Sequence, residues 1–132
     1  MSNQAGSRPE PPEPGSGTPG PIFEIRDYHY RSDRMGEYRE WAAGAAEVLA
    51  KRLDVLGFWV DVGIPARIMG SEPIDLPYGS ANVTWMIRWD SMEQREAEWE
   101  ALWDDEEWSA KWEEHPGFEG YLKMSIRFLG PA

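Results

Sequence analysis

Glu24 and Arg26 stand two residues apart in the stretch IFEIRDYHYR, Ile22 to Arg31. The stretch alternates like a β-strand, so the two side chains share a face, about 7 Å apart along the strand. Tyr28 and Tyr30 continue that face. A guanidinium among aromatic rings can hold a carboxylate or an enolate. A carboxylate whose pKa is raised by burial can act as a general base. The same two residues also make a structural ion pair that ties the strand to its neighbours, and the sequence leaves both readings open. Asp27 and His29 share the other face and form a second acid–base combination. His115 precedes a Pro and reads as a loop residue, and His29 as a surface one.

Trp59, Trp85 and Trp89 can supply flat surfaces on which an aromatic ligand stacks. Each can equally pack an interface. Eight tryptophans in 132 residues exceed what a chain of this length easily buries alone, so some are expected in a pocket or at a subunit contact. The expected site therefore has Glu24 and Arg26 as its catalytic pair and Tyr28, Tyr30, Trp59, Trp85 and Trp89 as its ligand-binding walls. No metal site is expected: there is no Cys and there are only two His. Phosphate-binding loops, the dinucleotide glycine fingerprint and the nucleophile-elbow motif are all missing, so no cofactor is expected.

The elements that must position these residues follow from periodicity and punctuation. Residues 1–21 are dominated by Pro, Gly and Ser and read as a disordered tail; residues 22–132 read as the single domain. Ile22 to Arg31 is the first strand. Asp33 is the expected N-cap of a helix running to about Leu53, with Met35, Tyr38, Ala42, Ala45, Leu49 and Leu53 on its apolar stripe. Val55 to Gly63 is the second strand. A long Pro- and Gly-rich connection, Ile64 to Ser80, follows, with a short extended piece at Arg67 to Met69. Ala81 to Trp89 is the third strand. Ser91 and Gln94 have capping-box spacing and open a second helix, with Met92, Glu96, Trp99, Leu102 and Trp103 on its inner face. A helical turn at Trp108 to Trp112 precedes the last strand, Gly120 to Gly130.

The order β-α-β-β-α-β is that of a ferredoxin-like α+β fold: a four-stranded antiparallel sheet with two helices on one face. The face with Phe23 and Ile25 is expected to meet the helices. The face with Glu24, Arg26, Tyr28 and Tyr30, continued by Trp85 and Trp89 of the third strand, is expected to lie open. An open aromatic face of that size calls for a second copy, so a homodimer closing into a barrel is expected.

Twelve acids against two bases between Asp90 and Glu119 carry most of the net charge of −11. That balance argues against nucleic acid as a partner. No apolar run approaches the length of a membrane span, and no secretory leader is recognisable; a cytoplasmic location is expected.

These segments carry a resemblance. The strand with Glu24, Ile25, Arg26 and Tyr28, the strand with Gly57, Phe58 and Gly63, and the run Trp85, Ile87, Trp89, Asp90, Ser91, Met92 and Arg95 resemble the NIPSNAP family, within the dimeric α+β barrel superfamily. Trp108 after the acidic stretch resembles a further family element. The likeness extends over residues 22–129. Trp85 stands where the family pattern has His, so no role of that His is carried over, and the 64–80 connection is long for the family. The resemblance implies a homodimeric barrel with a small-molecule-sized interior. The wider superfamily includes cofactor-independent oxygenases, cyclases, decarboxylases and haem-binding enzymes. The expected function is binding or conversion of a small aromatic or hydrophobic anion without metal or nucleotide, by oxygenation, cyclisation or isomerisation in secondary metabolism. The alternative is a non-catalytic dimeric interaction module that displays acidic helices.

Overall fold

The structure, a computed structural model, describes residues 20–72 and 77–132. Most of the expected tail (1–19) and residues 73–76 of the long connection lie outside the described residues. Four strands, β1 (Ile22–Tyr30), β2 (Val55–Val60), β3 (Val83–Trp89) and β4 (Tyr121–Leu129), form one antiparallel sheet in the order β2-β3-β1-β4. Three helices, α1 (Met35–Arg52), α2 (Met92–Trp103) and α3 (Glu106–Glu113), accompany it. This is the ferredoxin-like α+β fold. Among the described residues no helix is long and apolar enough to cross a membrane.

The helix starts show what local chemistry decides. Asp33 does not cap α1; it sits in a 3-10 turn over Ser32–Arg34, and its carboxylate is engaged by Arg31. Ser91 caps α2 as its spacing predicts: its Oγ accepts from the Gln94 N–H at 3.0 Å, and the Gln94 side chain reaches back to the Asp90 N–H. The turn expected near Trp108 is a two-turn helix. Asp105 caps it by accepting from the Trp108 N–H at 2.8 Å, and the same carboxylate pairs with Arg52 at the end of α1. No strand forms at Arg67 to Met69.

The assignment of sheet faces is reversed. Ile22, Tyr28 and Tyr30 of β1 and Val83, Trp85, Ile87 and Trp89 of β3 belong to one core with Tyr38, Trp41, Ala45 and Leu49 of α1, Leu102 of α2 and Trp108 of α3. The aromatic face therefore packs on the helices. Phe23, Ile25, Asp27 and His29 point to the side the helices leave open. The reason is complementarity. The helices present an arginine and a row of aromatic rings, which suit Glu24, Arg26 and the tyrosines. Glu24 and Arg26 are 0% and 7% exposed within a single copy, and no second sheet is needed to cover them.

Candidate functional site

Glu24 lies at the centre of a buried ion cluster. Its Oε2 accepts from Arg26 Nη1 at 2.6 Å and from Arg95 Nη2 at 3.2 Å. Its Oε1 accepts from Arg95 Nε at 2.7 Å and from Trp89 Nε1 at 2.9 Å. Four N–H donors thus saturate one carboxylate, and Arg95 grips it with two of them. Burial by itself would raise the Glu24 pKa. The hydrogen bonds from Arg95 and the charge and hydrogen bond of Arg26 outweigh it and hold the carboxyl below the usual carboxylate range. The expected general base is therefore corrected: Glu24 stays ionised and has no lone pair turned to a ligand. Its work is to hold two arginines.

Arg26 is held from three sides. Nη1 is on Glu24, and Nε donates to the Tyr28 hydroxyl at 2.5 Å. Trp85 Nε1 donates to the same hydroxyl at 2.8 Å. The guanidinium carbon lies 4.8 Å from the Trp99 ring centre and 5.6 Å from those of Tyr28 and Trp85. Nη2 has no partner among the described residues. It belongs to a side chain that lines a cavity of about 320 Å³ between sheet and helices, at the lower end of the ~300–1,000 Å³ usual for small-molecule sites. The cavity walls are mostly aromatic, with Tyr28, Phe58, Trp85 and Tyr121 from the sheet, Tyr38 and Trp41 from α1, Trp99 and Trp103 from α2, Trp108 and Trp112 from α3 and Phe118 before β4, and aliphatic side chains such as Leu49 and Met124 complete them. Phe58 and Trp85 are stacked at 5.4 Å, and Trp85 and Trp99 at 6.2 Å.

The far end of the cavity carries a polar chain. The Gly117 N–H donates to His115 Nδ1 at 2.9 Å. That nitrogen is therefore an acceptor, and Nε2 carries the ring hydrogen. Nε2 donates to the Tyr121 hydroxyl at 2.8 Å, and that hydroxyl lies 3.1 Å from the Tyr38 hydroxyl. Burial lowers the His115 pKa to about 4 and pushes both tyrosines up. The turn that makes this possible needs glycine: Gly117 has φ +139°, and a Cβ at Gly120 would collide with the Tyr30 ring.

Of the expected site residues, Arg26, Tyr28 and Trp85 line the cavity, and Glu24 and Trp89 stand behind them as supports. Tyr30 lies outside the wall, its hydroxyl donating to the Gly117 carbonyl at 2.6 Å. Trp59 is on the opposite side of the sheet, 51% exposed, with its ring over Gly57. A bulge between Val55 and Gly57 sets this parity: Phe58, not Trp59, stands beside Trp85. Asp27 and His29 are not an acid–base pair. Asp27 accepts from Thr84 Oγ1 at 2.6 Å, and His29 Nε2 is 3.0 Å from the Gly79 carbonyl.

Arg95, Tyr38, Tyr121 and His115 are the site residues that sequence reasoning missed. Arg95 was readable: Met92, Arg95, Trp99 and Leu102 fall at helical spacing, and an inner face holding Arg95 instead of Glu96 gives Glu24 its partner. His115 was not, because its burial depends on Trp41 and Trp112, whose ring centres lie 4.4 and 4.5 Å away.

A domain of this architecture has known relatives. The family model described as NIPSNAP matches residues 77–132. A NIPSNAP family protein from Agrobacterium tumefaciens has the same fold, with a TM-score of 0.61 at 20% identity, over 87% of this chain and 89% of that one. A NIPSNAP domain protein from Burkholderia xenovorans superposes with a TM-score of 0.59 at 20% identity, over 84% and 94%. A candidate antibiotic biosynthesis monooxygenase from Caulobacter crescentus does so with a TM-score of 0.52 at 11% identity, over 86% and 92%. No curated protein matches the chain. The NIPSNAP resemblance read from the sequence is thereby borne out: residues 77–132 carry the family's sequence pattern, and the described domain has the fold of NIPSNAP proteins.

Proposed function

We propose that the protein binds a small, flat aromatic anion in the cavity between sheet and helices, with Arg26 as the anion partner. The observation that carries this is the Nη2 of a rigidly held guanidinium, without a partner among the described residues, in an otherwise apolar and largely aromatic cavity. Glu24, Tyr28 and Trp99 fix the guanidinium before any ligand arrives, so little ordering cost falls on binding. Glu96 answers the charge of Arg95 at 3.0 Å on the exposed side, and Glu24 is shared between Arg95 and Arg26, so Arg26 is the guanidinium of the cluster left without a carboxylate of its own, which favours a ligand bringing one negative charge. An enolate or phenolate is as well matched as a carboxylate. Conversion of such a ligand by oxygenation, cyclisation or isomerisation, without metal or nucleotide, extends the same reading.

Titration calorimetry with benzoate and naphthoate series tests it. A charge-assisted hydrogen bond is worth about 1.5–3 kcal/mol, so Arg26→Met is expected to weaken binding about 10- to 100-fold. Equal affinity in Arg26→Met and the unaltered protein would remove the proposal. The acidic-helix interaction module is less favoured, since a module that works through its surface has no use for an open cavity of about 320 Å³ between sheet and helices.

The homodimer is proposed through the open face instead of the aromatic one. Phe23, Ile25, Met86 and the half-exposed Trp59 give that face an apolar centre, ringed by Asp27, Arg88, Lys123 and Arg127. Sedimentation is expected to give a mass near twice 15.1 kDa, reduced by half in Trp59→Glu. A monomer in the unaltered protein would refute it.

A further inference from the structure

Counting hydrogens at the far end of the cavity leaves one without a place. His115 Nε2–H is spent on the Tyr121 oxygen, because Nδ1 already accepts from Gly117. The Tyr38 and Tyr121 hydroxyls hold two hydrogens, and only one of them can lie between the two oxygens. The other has no acceptor among the described residues. Tyr38 is fully buried, and both tyrosines line the cavity. A buried donor without an acceptor is costly, and the cavity is where an acceptor can come from.

We infer that the Tyr38–Tyr121 pair is a second recognition pole that donates its spare hydrogen to a neutral oxygen of the ligand, a ketone, ester or ether at the end remote from the anionic group. The inference rests on the proposed binding of an aromatic anion at Arg26 and narrows its ligand class. The Tyr28 ring neighbours both poles: its centre is 5.6 Å from the Arg26 guanidinium carbon and 5.2 Å from the Tyr121 ring centre. One substituted ring is therefore enough to bridge them. Burial keeps both hydroxyls protonated at ordinary pH, so the pole donates throughout.

Two probes of nearly equal shape separate the poles. Para-acetylbenzoate carries a carbonyl oxygen where para-isopropenylbenzoate carries a methylene. The unaltered protein is expected to bind the acetyl probe about five- to tenfold more tightly, as suits one neutral hydrogen bond, and to lower its ketone stretching frequency. Either tyrosine alone can still supply a hydrogen, so Tyr38→Phe and Tyr121→Phe are each expected to keep part of the preference. The double change is expected to erase it while leaving the isopropenyl probe bound, which also shows that the variant is folded. If both probes bind the unaltered protein equally and Arg26→Met loses both, the second pole does not exist and the anion site stands. If neither probe binds, the anion site falls and this inference with it.

Discussion

Glu24 and Asp27 stand three residues apart on β1, on opposite faces, and each meets an arginine. Glu24 is fully buried, accepts four N–H groups and is shared by Arg26 and Arg95. Asp27 accepts from Thr84 and faces Arg127 across 3.5 Å on the open side, where the arginine is more than half exposed. Both are carboxylates on the same strand, each facing an arginine. What differs is whether water can replace the partner. On the open face it can, so the pair is a surface detail. On the helix face it cannot, so the pair sets the position of everything around it.

Breaking the buried member is expected to have the largest effect. Glu24→Gln leaves two cations facing one amide, at a cost of about 3–5 kcal/mol, read as a lower urea midpoint. The double change Glu24→Gln with Arg26→Met is expected to recover part of that loss. A Glu24→Gln protein of unaltered stability would show that water reaches the cluster after all.

An acid titration sharpens the contrast from another side. Burial depresses the His115 pKa from 6.5 to about 4. Between those values the unfolded chain binds a proton that the folded chain refuses, so stability is expected to fall as pH falls from 6.5 toward 4. His115→Gln is expected to flatten that slope. Glu24 adds a separate loss lower down: its depressed pKa contributes stability above the ordinary carboxyl value of 4.5, lost as pH falls through its folded value. A His115→Gln protein with an unchanged slope would place the imidazole in solvent.

The smallest effect is expected at the open face. Asp27→Asn keeps a hydrogen-bond acceptor for Thr84 and gives up only a surface pair, at a cost of no more than about 1 kcal/mol. A loss as large as that of Glu24→Gln would erase the distinction between the faces.

How much of this was legible depends on the kind of information each feature needs. Strand and helix order is local, and alternation and capping revealed it, down to the Ser91 cap. Alternation also places Glu24 with Arg26 and Tyr28. It gives parity without sign: either face of β1 could meet the helices, since both mix apolar and charged residues. The sign is decided by Arg95, seventy-one positions away in the chain, together with the aromatic rings of α3. The bulge between Val55 and Gly57 likewise moved Trp59 out of the site, and nothing local marks it except the glycine. His115 was hidden because desolvation comes from its neighbours in space.

The crowding of indoles described above has an optical consequence. Six of the eight tryptophans, Trp41, Trp85, Trp99, Trp103, Trp108 and Trp112, line one cavity. Trp41, Trp103 and Trp112 each lie about 6 Å from Trp108, so excitation entering at one can migrate among them before emission. A bound aromatic acid would act as a single sink for most of the protein's intrinsic fluorescence. Trp59, alone on the other side of the sheet, would go on emitting as an internal reference. The molecule carries its own ratiometric gauge of occupancy, readable without a label on either partner.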